Sequence, residues 1–286
     1  MISQISKDGF YLIKMESSDK DLSLEINQDR GNIISSIIFN GNEMIHIDRE
    51  NYLSQERPRC GCPVLFPFCG VNEDNQLNIN SKSYPTGIHG VVHTNKWTIQ
   101  HLTEKGDGCV AEMYTTSDET TKEAFPFDFR LDAKITLQGH KVTYATKITN
   151  LSGETMPCDL GFHPFFTVSG LANLQFDMRA DTVYYPGSKR REACEGADAS
   201  EIKAAGMIFE HCQSMKITDT NRKVCIRIEN EKEFQNLMLW TGNENKFLVV
   251  EPLTAIPNAI NDKTNRFNIP SGESVEAVWS FEPEIV

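Results

Sequence analysis

The chain has 286 residues, 39% of them hydrophobic and 24% charged, which is enough apolar material for a sizeable core and unlike the composition of a disordered chain. Its 40 acidic against 28 basic residues leave a formal charge of -12, which opposes attraction to nucleic acid or anionic lipid, since both favour clustered Lys and Arg. Residues 1–10 lack an apolar run behind a basic start, and no stretch approaches the ~20 apolar residues of a membrane span, so a cytoplasmic protein is expected. Leu22-Ser23-Leu24-Glu25-Ile26-Asn27 alternates apolar with polar residues, Asp29-Arg30-Gly31-Asn32 supplies turn chemistry, and residues 33–39 form a second β-rich run ended by Asn40-Gly41. The same pattern predicts strands at 97–102, 110–114, 129–137 and 142–150, then at 215–218, 224–228, 237–240, 247–250 and 275–281. No amphipathic helix of three turns stands out, and the polar, Gly-interrupted segment 191–201 reads as a long surface loop. Many short strands without a break in composition imply an all-β protein, one large antiparallel β-sandwich occupying residues 1–286 as a single domain.

The eight cysteines are scattered through a long chain without a secretion signal and are expected to be reduced. Cys60-Gly61-Cys62 has one intervening residue, and no second Cys/His pair at zinc-finger spacing follows it, so these read as small buried side chains and no metal is expected.

Three segments do not read as ordinary strand or turn, because each sets an ionisable residue among Gly, Pro or aromatic residues. They are Ile88-His89-Gly90-Val91-Val92-His93-Thr94-Asn95-Lys96-Trp97, Leu160-Gly161-Phe162-His163-Pro164-Phe165-Phe166 and Val249-Val250-Glu251-Pro252-Leu253-Thr254. Each alone has a bland explanation: a His beside Gly or Pro often caps a turn, and a Glu before Pro at a strand end can simply face solvent. A carboxylate following a buried-type strand is nevertheless one whose desolvation raises its proton affinity, which suits a base. One carboxylate with two imidazoles is a workable acid/base set.

In order and approximate spacing these segments resemble those of the aldose 1-epimerase family, within the galactose mutarotase-like superfamily. Residues 59–70, Arg-Cys-Gly-Cys-Pro-Val-Leu-Phe-Pro-Phe-Cys-Gly, resemble its R-G-G-x-P-x-x-F-P-x-x-G segment, and His89-Gly90 with Trp97 resembles H-G-F-A-R…W. The run from Asn150 to His163-Pro164-Phe165-Phe166 resembles the strand ending in G-x-H-P-Y-F, and Val250-Glu251-Pro252 with Pro257-Asn258-Ala259 resembles C-x-E-P…P-x-A. The likeness runs from about residue 20 to residue 282 and includes the turn Ile269-Pro270-Ser271-Gly272-Glu273.

The resemblance implies a mutarotase that interconverts the α and β anomers of a hexose without a cofactor. Glu251 would be the general base on the anomeric hydroxyl, His163 the general acid on the ring oxygen, and His89 a hydrogen-bond partner of the ring or a neighbouring hydroxyl. Phe68, Phe165, Phe166 and Trp240 can offer faces to the C–H edges of a sugar, although aromatic residues in a sandwich are more often core. Family branches that accept hexose 6-phosphates pair the Arg at the position of Arg59 with the Arg that ends H-G-F-A-R. Here His93 stands in the second place, and a lone Arg with a weakly basic His is a poorer phosphate clamp. A neutral sugar, or a phosphate held by other residues, becomes the expectation. Asp181, in a segment resembling A-D-x-Y-x-P, is a structural-or-site candidate outside the catalytic set.

Two rival readings stand beside this one. A noncatalytic sugar-binding or sensing protein would need partners for hydroxyls but no matched acid and base, and a metal hydrolase would need His89, His93 and His163 to converge. The sandwich is compatible with a monomer or a homodimer.

Overall fold

Strict alternation of apolar and polar residues is most visible at Phe129–Gln138 and Lys141–Asn150, whose burial alternates residue by residue over ten positions each. The two pair antiparallel from Phe129↔Asn150 to Gln138↔Lys141 around the two-residue turn Gly139-His140, where Gly139 takes a φ of 55°. The computed structural model describes residues 1–54, 56–197, 202, 206–242 and 246–286.

That hairpin lies inside an eight-stranded antiparallel sheet. Its order is Leu174–Met178, Ser214–Asp219, Val224–Asn230, Ser274–Ile285, Lys141–Asn150, Phe129–Gln138, Gly108–Thr116 and Thr98–Lys105. The C-terminal strand therefore sits in mid-sheet. A second sheet runs Arg190–Ala193, Thr182–Tyr185, Met207–Glu210, Asn236–Trp240, Phe247–Leu253, Gly161–Phe162 and Val64–Leu65, with Phe165–Thr167 also paired to Phe247–Leu253. The N-terminal forty-odd residues add a five-stranded meander, Ile2–Lys7, Phe10–Glu16, Leu22–Asn27, Ile33–Phe39 and Asn42–Glu43. This is the all-β antiparallel sandwich expected from the sequence.

The two large sheets meet through rings. Phe162 of the second sheet lies 4.5 Å from Tyr144 and 5.1 Å from Trp279 of the first, centroid to centroid, and all three side chains are buried. Phe66, from the second sheet's edge, packs edge-on to Phe129 at 4.9 Å. Such side chains each remove a large apolar area from water and dominate the energetics of a core. The main hydrophobic cluster takes residues from Ile13 to Phe281. Helices are short, at Arg49–Leu53, Glu119–Ala124 and Ala259–Asp262, and among the described residues none is long and apolar enough to cross a membrane.

Two sequence expectations are corrected. Glu251 does not follow a strand but lies within one, Phe247–Leu253, paired with Met238. The segment expected as a loop from residue 191 begins instead as the strand Arg190–Ala193, held by pairing Thr182↔Ala193 through Tyr185↔Arg190; residues 198–201 lie outside the described residues. Polar composition concealed that strand because both its faces are exposed, leaving no apolar alternation to read. All eight cysteines are unbridged, and seven are buried.

Candidate active site

Period-two geometry decides what Glu251 faces. Leu248 and Val250 of its strand enter the main hydrophobic cluster, so Phe247, Glu251 and Leu253 turn to the other face, where they line a cleft of about 1330 Å³. Glu251 is nonetheless only 2% exposed, and burial pushes its carboxyl up to about 8 by penalising the ionised form.

His163 stands opposite it. Its N–H donates to the Pro63 carbonyl at 3.1 Å, and the next residue but one, Phe165, donates to the Gly61 carbonyl at 2.8 Å, so the 61–63 loop fixes the imidazole's backbone. His163 Nε2 lies 3.4 Å from Glu251 Oε1. Burial pulls this imidazole down to about 3, and the nearby Arg57 charge acts in the same direction. Each member of the pair therefore resists its own charged form, and near neutrality the two share a single proton between a carboxyl and an imidazole.

His89 completes the group through a two-way clasp. Its backbone N–H donates to the Gly70 carbonyl at 2.8 Å, while the Gly70 N–H donates to His89 Nδ1 at 3.1 Å. Because Nδ1 accepts, the ring proton of the neutral imidazole belongs on Nε2, so His89 is a hydrogen-bond donor. Burial, with the imidazole of His163 close by, holds it well below the usual histidine range, so it stays neutral. Its ring centroid is 5.0 Å from that of His163, in an edge-to-face arrangement.

The clasp depends on Gly90, which has a φ of 80° and where a Cβ would come within 2.0 Å of the Phe66 carbonyl oxygen. Only glycine fits between the His89 turn and the 66–67 backbone. Gly90→Ala should therefore destabilise the protein by about 2–4 kcal/mol in urea unfolding, and a loss below 1 kcal/mol would show that the 66–67 backbone yields.

Of the residues singled out in the sequence, Glu251, His163, His89, Arg59 and Trp240 line the cleft; His93, Phe166, Phe68 and Asp181 are not among its lining residues. Phe166 is paired with Leu248 and packs on Phe281 at 6.2 Å inside the sandwich, while Phe165, one residue earlier and so on the opposite side, lines the cleft with its ring 4.6 Å from His163. His93 does not line the cleft although its imidazole lies beside the His89 backbone: its carbonyl lies against Gly31, and burial together with the Arg57 charge pulls its imidazole down to about 4. Asp181 sits at the surface, its carboxylate 2.8 Å from His211 Nδ1.

The cleft also contains residues the motifs did not indicate. Arg57 and Arg59 both line it, and no carboxylate among the described residues pairs with either. Arg57 is half-buried, and its charge reaches His89, His93 and His163 alike. An aromatic wall runs from Trp240 to Phe247 at 5.6 Å, Phe247 to Phe165 at 5.1 Å and Phe247 to His46 at 5.0 Å. Same-side spacing is the signal that finds part of this set: Phe165 is two residues from His163, Arg57 two from Arg59, and Phe247 four from Glu251.

The arrangement can deliver a proton to one oxygen and remove one from another within a single small polar centre, beside rings suited to C–H faces and guanidiniums suited to an anion. The family model for aldose 1-epimerase matches residues 17–282. Among solved structures, the chain is similar to the Slr1438 protein of Synechocystis sp. PCC 6803 at 24% identity and TM-score 0.90, covering 96% of both chains. It is similar to a galactose mutarotase-like protein of Clostridium acetobutylicum at 18% identity and TM-score 0.86, covering 100% of this chain and 99% of that one. It is also similar to galactose 1-epimerase of Lactobacillus acidophilus NCFM at 13% identity and TM-score 0.74, covering 100% and 98%. No curated protein sequence matches the chain.

Proposed function

Because the chain belongs to the aldose 1-epimerase family, we propose that it is a mutarotase, an isomerase that interconverts the α and β anomers of a hexose by opening and reclosing the hemiacetal. The observation that carries this reading is the buried Glu251–His163 pair, 3.4 Å apart on the wall of the cleft. The anomeric hydroxyl oxygen and the ring oxygen are bonded to the same carbon, so the groups that serve them must be near neighbours. The reacting form is the one in which the pair's single shared proton sits on His163 and Glu251 is ionised; from it Glu251 takes the proton from the anomeric hydroxyl as the C1–O1 bond becomes a carbonyl. The C1–O5 electron pair moves to the ring oxygen, which receives its proton from His163. Rotation about C1–C2 and reclosure through the same pair yield the other anomer. The proton removed equals the proton supplied, so proton transfer alone balances the reaction. His89 donates through Nε2 to the ring oxygen or a neighbouring hydroxyl, and the Phe165–Trp240–Phe247 wall receives the C–H face of the sugar.

A noncatalytic sugar-binding protein has no use for a carboxyl raised to about 8 beside an imidazole lowered to about 3, because hydroxyls are held as well by ordinary amides and carboxylates. A metal hydrolase using three imidazoles is disfavoured because His93 is not in the cleft with His89 and His163. A main hydrophobic cluster that draws on residues from Ile13 to Phe281 supports residues 1–286 acting as one domain, in a cytoplasmic protein that is a monomer or a homodimer.

Polarimetry on freshly dissolved α-D-glucose, α-D-galactose and the α anomer of glucose 6-phosphate tests the reading without a coupling enzyme. Acceleration of equilibration over buffer for any of them supports a mutarotase; binding of a sugar with no acceleration for all three would leave the binding-protein reading. Arg57 supplies the second cation that His93 does not, which supports a phosphorylated hexose. Arg57→Ala should then lower kcat/KM for glucose 6-phosphate roughly tenfold more than for glucose, as expected for a charge-assisted hydrogen bond. Equal effects on the two sugars would assign Arg57 to the electrostatics of the histidines instead.

A further inference from the structure

Arg57 and Arg59 both face the cleft although nothing of opposite charge holds them there. Like charges in one cleft repel, and the charge of Arg59 acts on Arg57 in that sense. Part of their common direction comes from Pro58. A proline fixes its own φ and biases the residue before it to an extended conformation, and an extended Arg-Pro-Arg sends both arginines to one side and the proline to the other. Pro58 is buried, whereas Arg57 is half-buried and Arg59 exposed.

Asn51, in the helix Arg49–Leu53, ties the backbone on both sides of that proline. Its Nδ2 donates to the Arg57 carbonyl at 3.1 Å, and its Oδ1 accepts from the Arg59 N–H at 2.6 Å. A carboxamide carries a donor at one end and an acceptor at the other, so one side chain serves both peptide groups as a neighbouring strand would. Asn51 is itself anchored twice. Its N–H donates to Asp48 Oδ1 at 3.1 Å, and its carbonyl accepts from Arg30 Nη2 at 3.1 Å. The same Nη2 donates to the Glu56 carbonyl at 2.6 Å, so Arg30 holds both the helix and the start of the arginine segment. Arg30 is only 4% exposed, and no carboxylate among the described residues pairs with it. A guanidinium buried without a counter-charge is costly to the fold, and here its hydrogen bonds go to the segment that carries the cleft arginines.

We propose that Asn51, anchored by Arg30, is the positioning residue of the cleft's two cations: its carboxamide sets the spacing and direction of the Arg57 and Arg59 guanidiniums and thereby determines the preference for a phosphorylated over a neutral hexose. The inference rests on the mutarotase reading with Arg57 as the second cation, and deepens it by naming the group that holds both cations in place.

Initial-rate polarimetry on the α anomers of glucose 6-phosphate and glucose tests it, with the wild type, Asn51→Ala, Asn51→Gln, Arg57→Ala and the Asn51→Ala/Arg57→Ala double variant. Asn51→Ala should lower the ratio of kcat/KM for glucose 6-phosphate to that for glucose at least about fivefold, through KM for the phosphorylated sugar rather than kcat, as expected when charge-assisted hydrogen bonds lose their geometry. Asn51→Gln keeps the carboxamide but displaces it by one methylene; it guards against misfolding of the first variant and should lower the ratio in the same sense, at least about twofold. The double variant should lose much less than the product of the two single effects, because both act on the same cations. A merely structural Asn51 would instead reduce turnover of both sugars alike. An unmoved ratio in both Asn51 variants, beside a lowered one in Arg57→Ala, would overturn the positioning role and leave the mutarotase and Arg57 intact. A ratio unmoved by Arg57→Ala would remove the phosphate reading, and failure to accelerate either sugar the mutarotase reading, and this inference with them.

Discussion

Glu251→Gln should lower kcat for anomer equilibration by about 10²–10⁴-fold, the range by which a positioned general acid or base accelerates proton transfer. Glutamine keeps the shape and can still hydrogen-bond His163 but cannot accept a proton, so the loss should fall on kcat far more than on KM. The same variant should be more stable than the wild type at neutral and alkaline pH. In the folded protein the carboxyl holds its proton up to about 8, against 4.5 for the free group, so unfolding releases a proton at intermediate pH. Stability is therefore undiminished below about 4.5, declines as pH rises from there and levels off above about 8, where the penalty is on the order of 4 kcal/mol. Thermal melts of the two proteins should coincide at pH 4 and diverge by several degrees at pH 9, with the variant higher. Retained activity in the variant would remove Glu251 from the reaction. Melts that stay parallel would show that its carboxyl is not held neutral in the fold.

The pH profile of the wild type is the second large effect. Catalysis needs one proton on the Glu251–His163 pair, whichever member carries it, and the pair holds one proton between about 3, where His163 titrates, and about 8, where Glu251 does. Below neutrality kcat/KM should be flat down to the pH at which the protein unfolds. Above about 8 the pair loses its shared proton, no acid remains for the ring oxygen, and kcat/KM should fall about tenfold per pH unit. His89 adds no limb of its own in this range, because burial keeps it neutral throughout. A rate that instead climbed through pH 8 would mean that ionised Glu251 works with an acid outside the pair, and would reassign His163 to holding the sugar.

Strand content, the antiparallel sandwich and the three chemistry-bearing segments were legible in the sequence because each is a local signal: alternation has a period of two, and a His or Glu set among Gly, Pro and aromatic residues shows within ten positions. Glu251, His163 and the segment with His89 and His93 stand out on that basis, while their roles come only from the family resemblance; the cleft holds Glu251, His163 and His89 but not His93. Which side of each short strand faces the cleft was not local. Phe165 and Phe166 are indistinguishable in composition; pairing to Phe247–Leu253, some eighty residues away, turns the first to the cleft and the second to the core. The second cation is decided in the same way, since His93 occupies the expected place in the motif while Arg57, from another loop, reaches the cleft. The tautomer of His89 rests on a hydrogen bond from Gly70, and the placing of Glu251 beside Met238 on the cleft wall rests on the pairing of Asn236–Trp240 with Phe247–Leu253. Residue chemistry and period belong to the chain itself, but register is set by hydrogen bonds between segments that meet only after folding, and a shift of one residue would exchange every cleft side chain for a core one.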